Sequence, residues 1–125
     1  MGVVDIADRE MASKVVSVAL VRAAADLGLN GSQLARTIGL SEATVSRVRR
    51  GACIIPAGSK PYELSMMVIR IHQALMKTLA EDREAIQSWM RQKNKDFGSI
   101  PCDRIYDIRG LVAVLTFAES SAVRE

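Results

Sequence analysis

The chain has 125 residues, a formal net charge of +3, and 49% apolar but only 4% aromatic residues. Such a length suits one compact domain or two very small ones that share a core, and a composition rich in alanine, valine, leucine and methionine favours helices over sheets. No apolar run approaches the ~20 residues of a membrane-spanning helix, and acids stand where a signal peptide would be basic, so we expect a cytoplasmic protein without membrane contact.

The first helix is predicted from Asp8 to Leu27, because apolar residues recur along it at a helical spacing. The stripe consists of Val16, Leu20, Ala23 and Leu27, widened by Val15, Val18 and Ala19. This stripe is expected to face the core, with charged residues on the opposite side in water.

Two short helices are predicted next, within residues 29–51. The first starts on Asn30 or Ser32, whose side-chain oxygens can accept the free amide protons of a first turn. Gly39 ends it, because a sharp corner between helices needs a left-handed residue and glycine adopts that conformation without strain. Ser41 then caps the second helix, which ends at Gly51.

The spacing and charge of these two helices are typical of a DNA-binding helix-turn-helix. Ala35 is small where the second helix crosses the first, Gly39 follows at the turn, and Val45 lies ten residues after Ala35 to pack the helices together. The segment from Leu29 to Lys60 contains five basic residues and one acid, a net charge of +4. Because the rest of the chain is nearly neutral, the positive potential is local to this element. The alternative is a helical hairpin with a solvated basic face.

The second of these helices is the predicted recognition helix, and its exposed side carries the candidate DNA contacts. The residues expected to face base edges are Glu42, Ala43, Thr44 and Arg47, with Ser46 on the same side. The residues expected to contact phosphates are Ser32, Gln33, Arg49, Arg50 and Lys60. A homodimer is expected, since half-sites on double-stranded operator DNA lie about 34 Å apart.

The second half of the chain is predicted to be helical as well. A long core helix follows a cap at Ser59, and a further helix runs from Glu81 to Lys93. A loop over residues 94–100 and a turn starting at Pro101 lead to a last helix that Asp107 caps. The tail over residues 119–125 has lost the apolar period and is expected to be exposed.

A family resemblance enters with the second half. The second half resembles the toxin-binding domain of the Xre/MbcA/ParS bacterial antitoxins in the order and spacing of Trp89-Met90, Asn94, Phe97-Gly98, Pro101, Ile105, Gly110 and Val114. SEATVSRVRRG and the following GSKPYELSMMVIRIHQAL look like the helix-turn-helix and linking helix of the same family. The resemblance covers roughly residues 23–117.

The resemblance implies an all-α antitoxin of a type II toxin–antitoxin system, of the RES-Xre type. It implies a DNA-binding domain over residues 1–58 that represses its own operon, a linking helix over 59–80, and a toxin-binding domain with its tail over 81–125. The partner would be a RES-domain toxin that consumes NAD or ADP-ribosylates a target. The tail from Ala118 to Glu125 would plug the toxin's nucleotide cleft.

The candidate toxin-binding residues follow from the same resemblance. They are Trp89, Asn94, Phe97, Gly98, Ile100, Pro101, Leu111, Leu115, Ala118, Ser121, Arg124 and Glu125. From the residues alone, Trp89 is more often a core anchor and Asn94 a loop cap, whereas Phe97 and Ile100 are better candidates for an exposed partner patch.

No enzyme chemistry is predicted. The chain has no glycine-rich phosphate loop and no nucleophile with a base at motif spacing, and its single His72 and separated Cys53 and Cys102 do not make a metal site. We therefore expect no catalytic residue, metal or cofactor. Two alternatives to an antitoxin stay open: a phage- or plasmid-type repressor without a toxin, and a helical adaptor whose basic face binds an acidic protein.

Overall fold

The computed structural model describes residues 6–123 of the chain, the side chain of Val123 excepted, and the regular secondary structure of that part consists of helices. Its elements are α1 (Ile6–Leu27), α2 (Gly31–Ile38), α3 (Glu42–Arg49), α4 (Lys60–Thr78), α5 (Arg83–Arg91), a 3-10 turn (Pro101–Asp103) and α6 (Ile108–Val123). The predicted all-α fold is confirmed. Over the described range no helix is both long and apolar enough to cross a membrane.

Polar side chains set the start of most helices. Asn30 accepts a hydrogen bond from the Gln33 amide at 2.8 Å, and the Gln33 side chain accepts one from the Asn30 amide at 2.9 Å. Ser41 and Ser59 cap α3 and α4 in the same way. These contacts satisfy amide groups that would otherwise lack a partner in the first turn. The predicted caps at Asn30, Ser41 and Ser59 are therefore confirmed.

The central helix is α4, which packs against α1 on one side and α6 on the other. Its buried residues include Val68, Ile71 and Leu75, and they belong to one continuous apolar cluster that extends from α1 to α6. The two halves of the molecule thus share a single core. The division into segments 1–58, 59–80 and 81–125 stays a prediction.

The predicted width of the apolar stripe on α1 was wrong. Val16 and Leu20 are buried as expected, but Val15 is 59% exposed and Val18 72%. The buried side of α1 is completed by Ser13 and Ser17 instead. Ser17 Oγ accepts a hydrogen bond from Ile55 N at 2.9 Å, and Ser13 Oγ accepts one from Ala57 N at 2.8 Å, both from the connector between α3 and α4.

The α5 helix is shorter than predicted. Ala80 and Glu81 have φ of 54° and 61°, the left-handed conformation that ends α4, so Glu81 cannot begin a helix. The helix begins at Arg83 after an Asp82 cap, and it ends at Arg91 rather than Lys93.

The tail prediction was also wrong for the described residues. The last helix continues to Val123, Ala118 and Ala122 are buried, and Glu119 forms a two-pronged ion pair with Arg70 of α4 at 2.7 and 3.0 Å. A loose plug from Ala118 onward is therefore excluded for residues 118–122. Arg124 and Glu125 lie outside the described residues.

Candidate nucleic-acid interface

The corner between α2 and α3 is made by Gly39. Its φ is 76°, and its amide donates to the Ala35 carbonyl at 2.9 Å, with the Leu40 amide converging on the same oxygen at 3.1 Å. A Cβ added at Gly39 would meet nothing within 4 Å. The glycine is therefore required by its backbone conformation and not by lack of space.

The two helices pack through the residues that the spacing predicted. Ala35 of α2 is 4% exposed, and Val45 and Val48 of α3 are 1% and 6% exposed. With both valines facing α2 and the core, the opposite side of α3 is open to solvent. This side, which we call the α3 outer face, consists of Ala43, Ser46, Arg47 and Arg50.

The two arginines of the α3 outer face are held along the helix by neutral hydroxyls. Arg47 donates from Nη2 to Thr44 Oγ1 at 3.2 Å, and Ser41 Oγ donates to the same oxygen at 2.9 Å. Arg50 donates from Nη1 to Ser46 Oγ at 3.1 Å. Neither guanidinium has a carboxylate within 4 Å among residues 6–123. Most of their donors are therefore free for a phosphate or a guanine.

Arg49 lies differently from the other two. Its Nη2 donates to the Leu29 carbonyl at 3.0 Å, so the side chain folds back onto the corner between α1 and α2. A free carbonyl at the end of α1 is thereby satisfied. The predicted role of Arg49 at a phosphate stays a prediction, and the structure gives the residue a structural contact.

The remaining predicted DNA contacts lie outside the α3 outer face, on α2, at the start of α3 and at the start of α4. Ser32 and Glu42 are exposed, and the side-chain carbonyl of Gln33 is used in the α2 cap, which leaves its NH₂ group to donate. Lys60 pairs with Glu63 at 2.9 Å. Both partners are exposed, so this pair is weak and breaks at little cost when a phosphate is near.

Comparison with known protein families agrees with this geometry. Residues 7–52, which span α1, α2 and α3, match the family described as the antitoxin Xre-like helix-turn-helix domain. Because of this similarity, we call residues 7–52 the Xre-like domain. Among curated proteins, no match to the chain was found. The family match supports DNA binding and a toxin partner in general terms.

A cation–π contact that the sequence did not reveal joins the Xre-like domain to the C-terminal half. The Arg36 guanidinium of α2 lies 3.9 Å from the centroid of the Tyr106 ring, just before α6. Arg36 contributed to the local positive charge of the sequence, but its position is set by this aromatic partner. A contact of this kind has no local sequence pattern, because the two residues are far apart in the chain.

The C-terminal half presents a partly exposed aromatic cluster. Trp89 of α5 stacks on Phe117 of α6 with ring centroids 6.1 Å apart, and Phe97 of the loop meets Phe117 at 5.4 Å. We call these three residues the aromatic cluster. Phe117 was missing from the predicted site, although its place on the last helix made it available for such a contact.

The loop that carries Phe97 is held by Asn94. Its Oδ1 accepts from the amides of Asp96 and Phe97 at 2.9 and 3.1 Å, and its backbone pairs with Ser99. Gly98 has φ of 85°, which completes the tight turn. The interpretation of Asn94 as a loop cap is confirmed.

Four of the candidate toxin-binding residues are placed in the core. Leu111, Leu115 and Ala118 are buried because α6 packs on α4 through this side, and Pro101 is buried in the 3-10 turn that packs against α5. They cannot contact a partner from the surface, and we correct that part of the prediction. Ser121 is half-buried and donates to the Phe117 carbonyl at 3.1 Å. The reachable candidates are Trp89, Phe97, Gly98 and Ile100.

Both thiols are free, and neither suggests chemistry. Burial, followed by the charge of Asp103, raises the pKa of the Cys102 thiol, which keeps it protonated and unreactive at neutral pH. Cys53 is half-buried against the Thr44 carbonyl. His72 Nε2 forms a hydrogen bond with Asp26 Oδ2 at 2.8 Å.

Proposed function

We propose that the protein is the antitoxin of a type II toxin–antitoxin system, which represses its own operon through the Xre-like domain and neutralises a cognate RES-domain toxin through its C-terminal half. The observation that carries the proposal is the α3 outer face. Its two arginines have no acidic partner among residues 6–123, and they lie on a helix-turn-helix similar to those of antitoxins. The resemblance of the second half to toxin-binding domains supports the RES partner. The proposed function needs no catalysis and places the protein in the cytoplasm.

The α3 helix suits the major groove of double-stranded DNA. Eight residues at ~1.5 Å each give a rod of about 12 Å, comparable with the width of that groove. Arg47 reaches the edge of a guanine, and Ala43 can contact a thymine methyl group. Arg50, near the end of the helix, meets a phosphate.

The hydrogen bonds from the arginines to neutral hydroxyls keep the free-energy cost of binding DNA low. Each arginine exchanges a hydrogen bond to a neutral hydroxyl, with a net value of about 1 kcal/mol, for stronger bonds to an anionic or bidentate acceptor. Thr44 and Ser46 thus hold the side chains near their binding positions before DNA arrives. The entropy cost of ordering them on DNA is reduced accordingly.

The aromatic cluster is the best candidate for the toxin contact. Trp89 and Phe97 are half-buried, so each ring presents an edge to solvent while its body is fixed by Phe117. Rigid aromatic side chains of this kind are common at the centre of protein interfaces. Ile100 extends the apolar surface beside them.

A pair of experiments tests the two halves of the proposal. Electrophoretic mobility shifts with the promoter of the protein's own operon should show sequence-preferring binding that weakens steeply with salt, as phosphate contacts require. Co-expression with the adjacent gene should rescue growth from the encoded toxin and yield a purified complex. Operator binding without rescue or complex would leave a repressor that has no toxin, and the toxin half of the proposal would be refuted.

A further inference from the structure

The outer side of α1 carries apolar side chains that the rest of the described chain leaves uncovered. Met11 is 62% exposed, Val15 59% and Val18 72%, whereas the opposite side of the helix lies in the core. The three residues are spaced by four and three positions, which places them in one straight stripe. A stripe with this spacing is what one helix presents to another in a paired-helix contact. We call it the α1 stripe.

The α1 stripe continues into the DNA-binding element. Beside Val18, a mainly apolar groove between α1 and the end of α3 is lined by Val21, Val48 and Ile54, and also by the charged Lys14 and Arg49. Ile54 is itself 39% exposed. A contiguous apolar surface of this kind is uncommon on a protein that works as a monomer and marks an interface.

The two ends of the α1 stripe carry opposite charges. Asp8 lies three residues before Met11 and Arg22 four residues after Val18, so both extend the same side of the helix. Both are exposed, and neither forms an ion pair within residues 6–123. A helix with an acid at one end of an apolar stripe and a base at the other is complementary to an antiparallel copy of itself.

We propose that two copies of the chain pair through their α1 stripes, antiparallel, about a two-fold axis that passes beside Val15. In this register Val15 packs on the partner's Val15 and Met11 packs on the partner's Val18. Asp8 then meets the partner's Arg22, and symmetry makes that ion pair twice. The contact is isologous, so it closes as a dimer and does not propagate into a filament.

This dimer would serve the proposed repressor function, and its role in operator binding rests on that proposal. Two-fold symmetric operators are read by two recognition helices about one DNA turn apart, ~34 Å. The groove beside the α1 stripe lies between α1 and α3. Pairing through α1 would therefore fix the position of one α3 outer face relative to the other. The dimer itself forms without DNA or toxin, so its failure is distinguishable from failure of the function.

Analytical ultracentrifugation of the full chain, without DNA or toxin, tests the pairing. The wild-type chain should show a concentration-dependent monomer–dimer equilibrium. Val15→Glu should raise the dissociation constant by at least about 100-fold, since it brings two carboxylates together in an apolar contact on the axis. The matched control is Val112→Glu, at a valine of α6 that is 41% exposed, which should leave the equilibrium unchanged. Far-UV circular dichroism should show both variants folded.

The antiparallel register has its own test in a charge exchange. Asp8→Arg and Arg22→Asp should each weaken the dimer by about tenfold, because each dimer contains the contact twice and the substitution creates like-charge pairs. The chain that carries both substitutions should recover wild-type affinity. Absence of recovery would overturn the register.

Disulfide trapping gives the same register a direct readout. In a background with Cys53→Ser and Cys102→Ser, a mixture of Met11→Cys chains and Val18→Cys chains should form a crosslinked heterodimer on oxidation. Crosslinking of Met11→Cys chains with one another would show a parallel pair and overturn the proposal. A wild-type chain that stays monomeric while Val15→Glu abolishes toxin binding would assign the α1 stripe to the toxin, which also overturns it.

Discussion

The α3 outer face and the aromatic cluster are built in opposite ways. On the α3 outer face, Arg47 and Arg50 donate to hydroxyls of α3, while Val45 and Val48 are buried on the opposite side of the helix. The aromatic cluster uses the same side chains for its surface and for its packing, because Phe117 supports both Trp89 and Phe97. Substitutions in the first region should therefore change binding without changing stability, whereas those in the second should change both.

The largest effect on stability is expected at Gly110, which supports the C-terminal half. A Cβ at this position would lie 1.7 Å from the Arg104 carbonyl oxygen, which is backbone and cannot move aside. Gly110→Ala should lower the free energy of unfolding by about 3 kcal/mol or more, as measured by urea denaturation.

The matched control for Gly110 is the same substitution at Gly31 in the first turn of α2. There an added Cβ would meet the Arg49 side chain at an ordinary 3.5 Å. Gly31→Ala should leave stability unchanged or raise it by up to about 1 kcal/mol. Equal losses at the two glycines would contradict the steric explanation.

The next largest effect is expected at Phe117. Phe117→Ala removes the ring on which the other two aromatic side chains pack, and it should cost about 2–4 kcal/mol of stability together with toxin binding. Operator affinity per folded molecule should stay at the wild-type value. A variant that keeps toxin binding would remove the aromatic cluster from the proposed site.

A smaller effect, confined to binding, is expected on the α3 outer face. Arg47→Ala should cost ~1–3 kcal/mol of operator affinity and relax the preference at one base pair, whereas Arg50→Ala should weaken binding to all sequences alike. Thermal unfolding should be unchanged in both. Equal losses on operator and random DNA for Arg47→Ala would refute its role in base readout.

The smallest effect is expected where the two halves meet. Arg36→Ala removes the cation–π contact with Tyr106 and should cost about 0.5–1 kcal/mol of stability. A double-mutant cycle with Tyr106→Leu isolates the coupling, and Tyr106→Phe, which keeps a ring, should retain most of it. Additive losses in the cycle would show that the two side chains do not interact in solution.

The features that the sequence predicted correctly are mostly those that depend on neighbouring residues. The caps at Asn30, Ser41 and Ser59 and the corner at Gly39 depend only on neighbouring residues, and all four are found. The predicted width of the apolar stripe on α1 was wrong because its buried side is completed by Ser13 and Ser17, whose hydrogen-bond partners lie 44 and 38 residues away in the chain.

The candidate toxin-binding site also depends on contacts between distant residues, which the sequence could not predict. The resemblance selected residues from α5, the following loop and α6, but it could not separate Leu111 and Leu115, which pack inward on α4, from Trp89 and Phe97, which reach the surface. The end of α6 is held by the burial of Ala118 and Ala122 against the core, together with the ion pair between Glu119 and the distant Arg70. The α3 outer face was predicted more closely, since helical geometry alone decides which residues oppose Val45 and Val48.

The position of α4 between α1 and α6 limits how such a protein can change by recombination. Val68, Ile71 and Leu75 contribute to a core that both halves share. A crossover within α4 between two diverged genes would therefore combine core residues from different proteins, whose side chains are not matched for packing. A protein with a new combination of operator and toxin specificity should therefore arise more readily by point substitution on the exposed surfaces than by exchange of a whole N-terminal or C-terminal half.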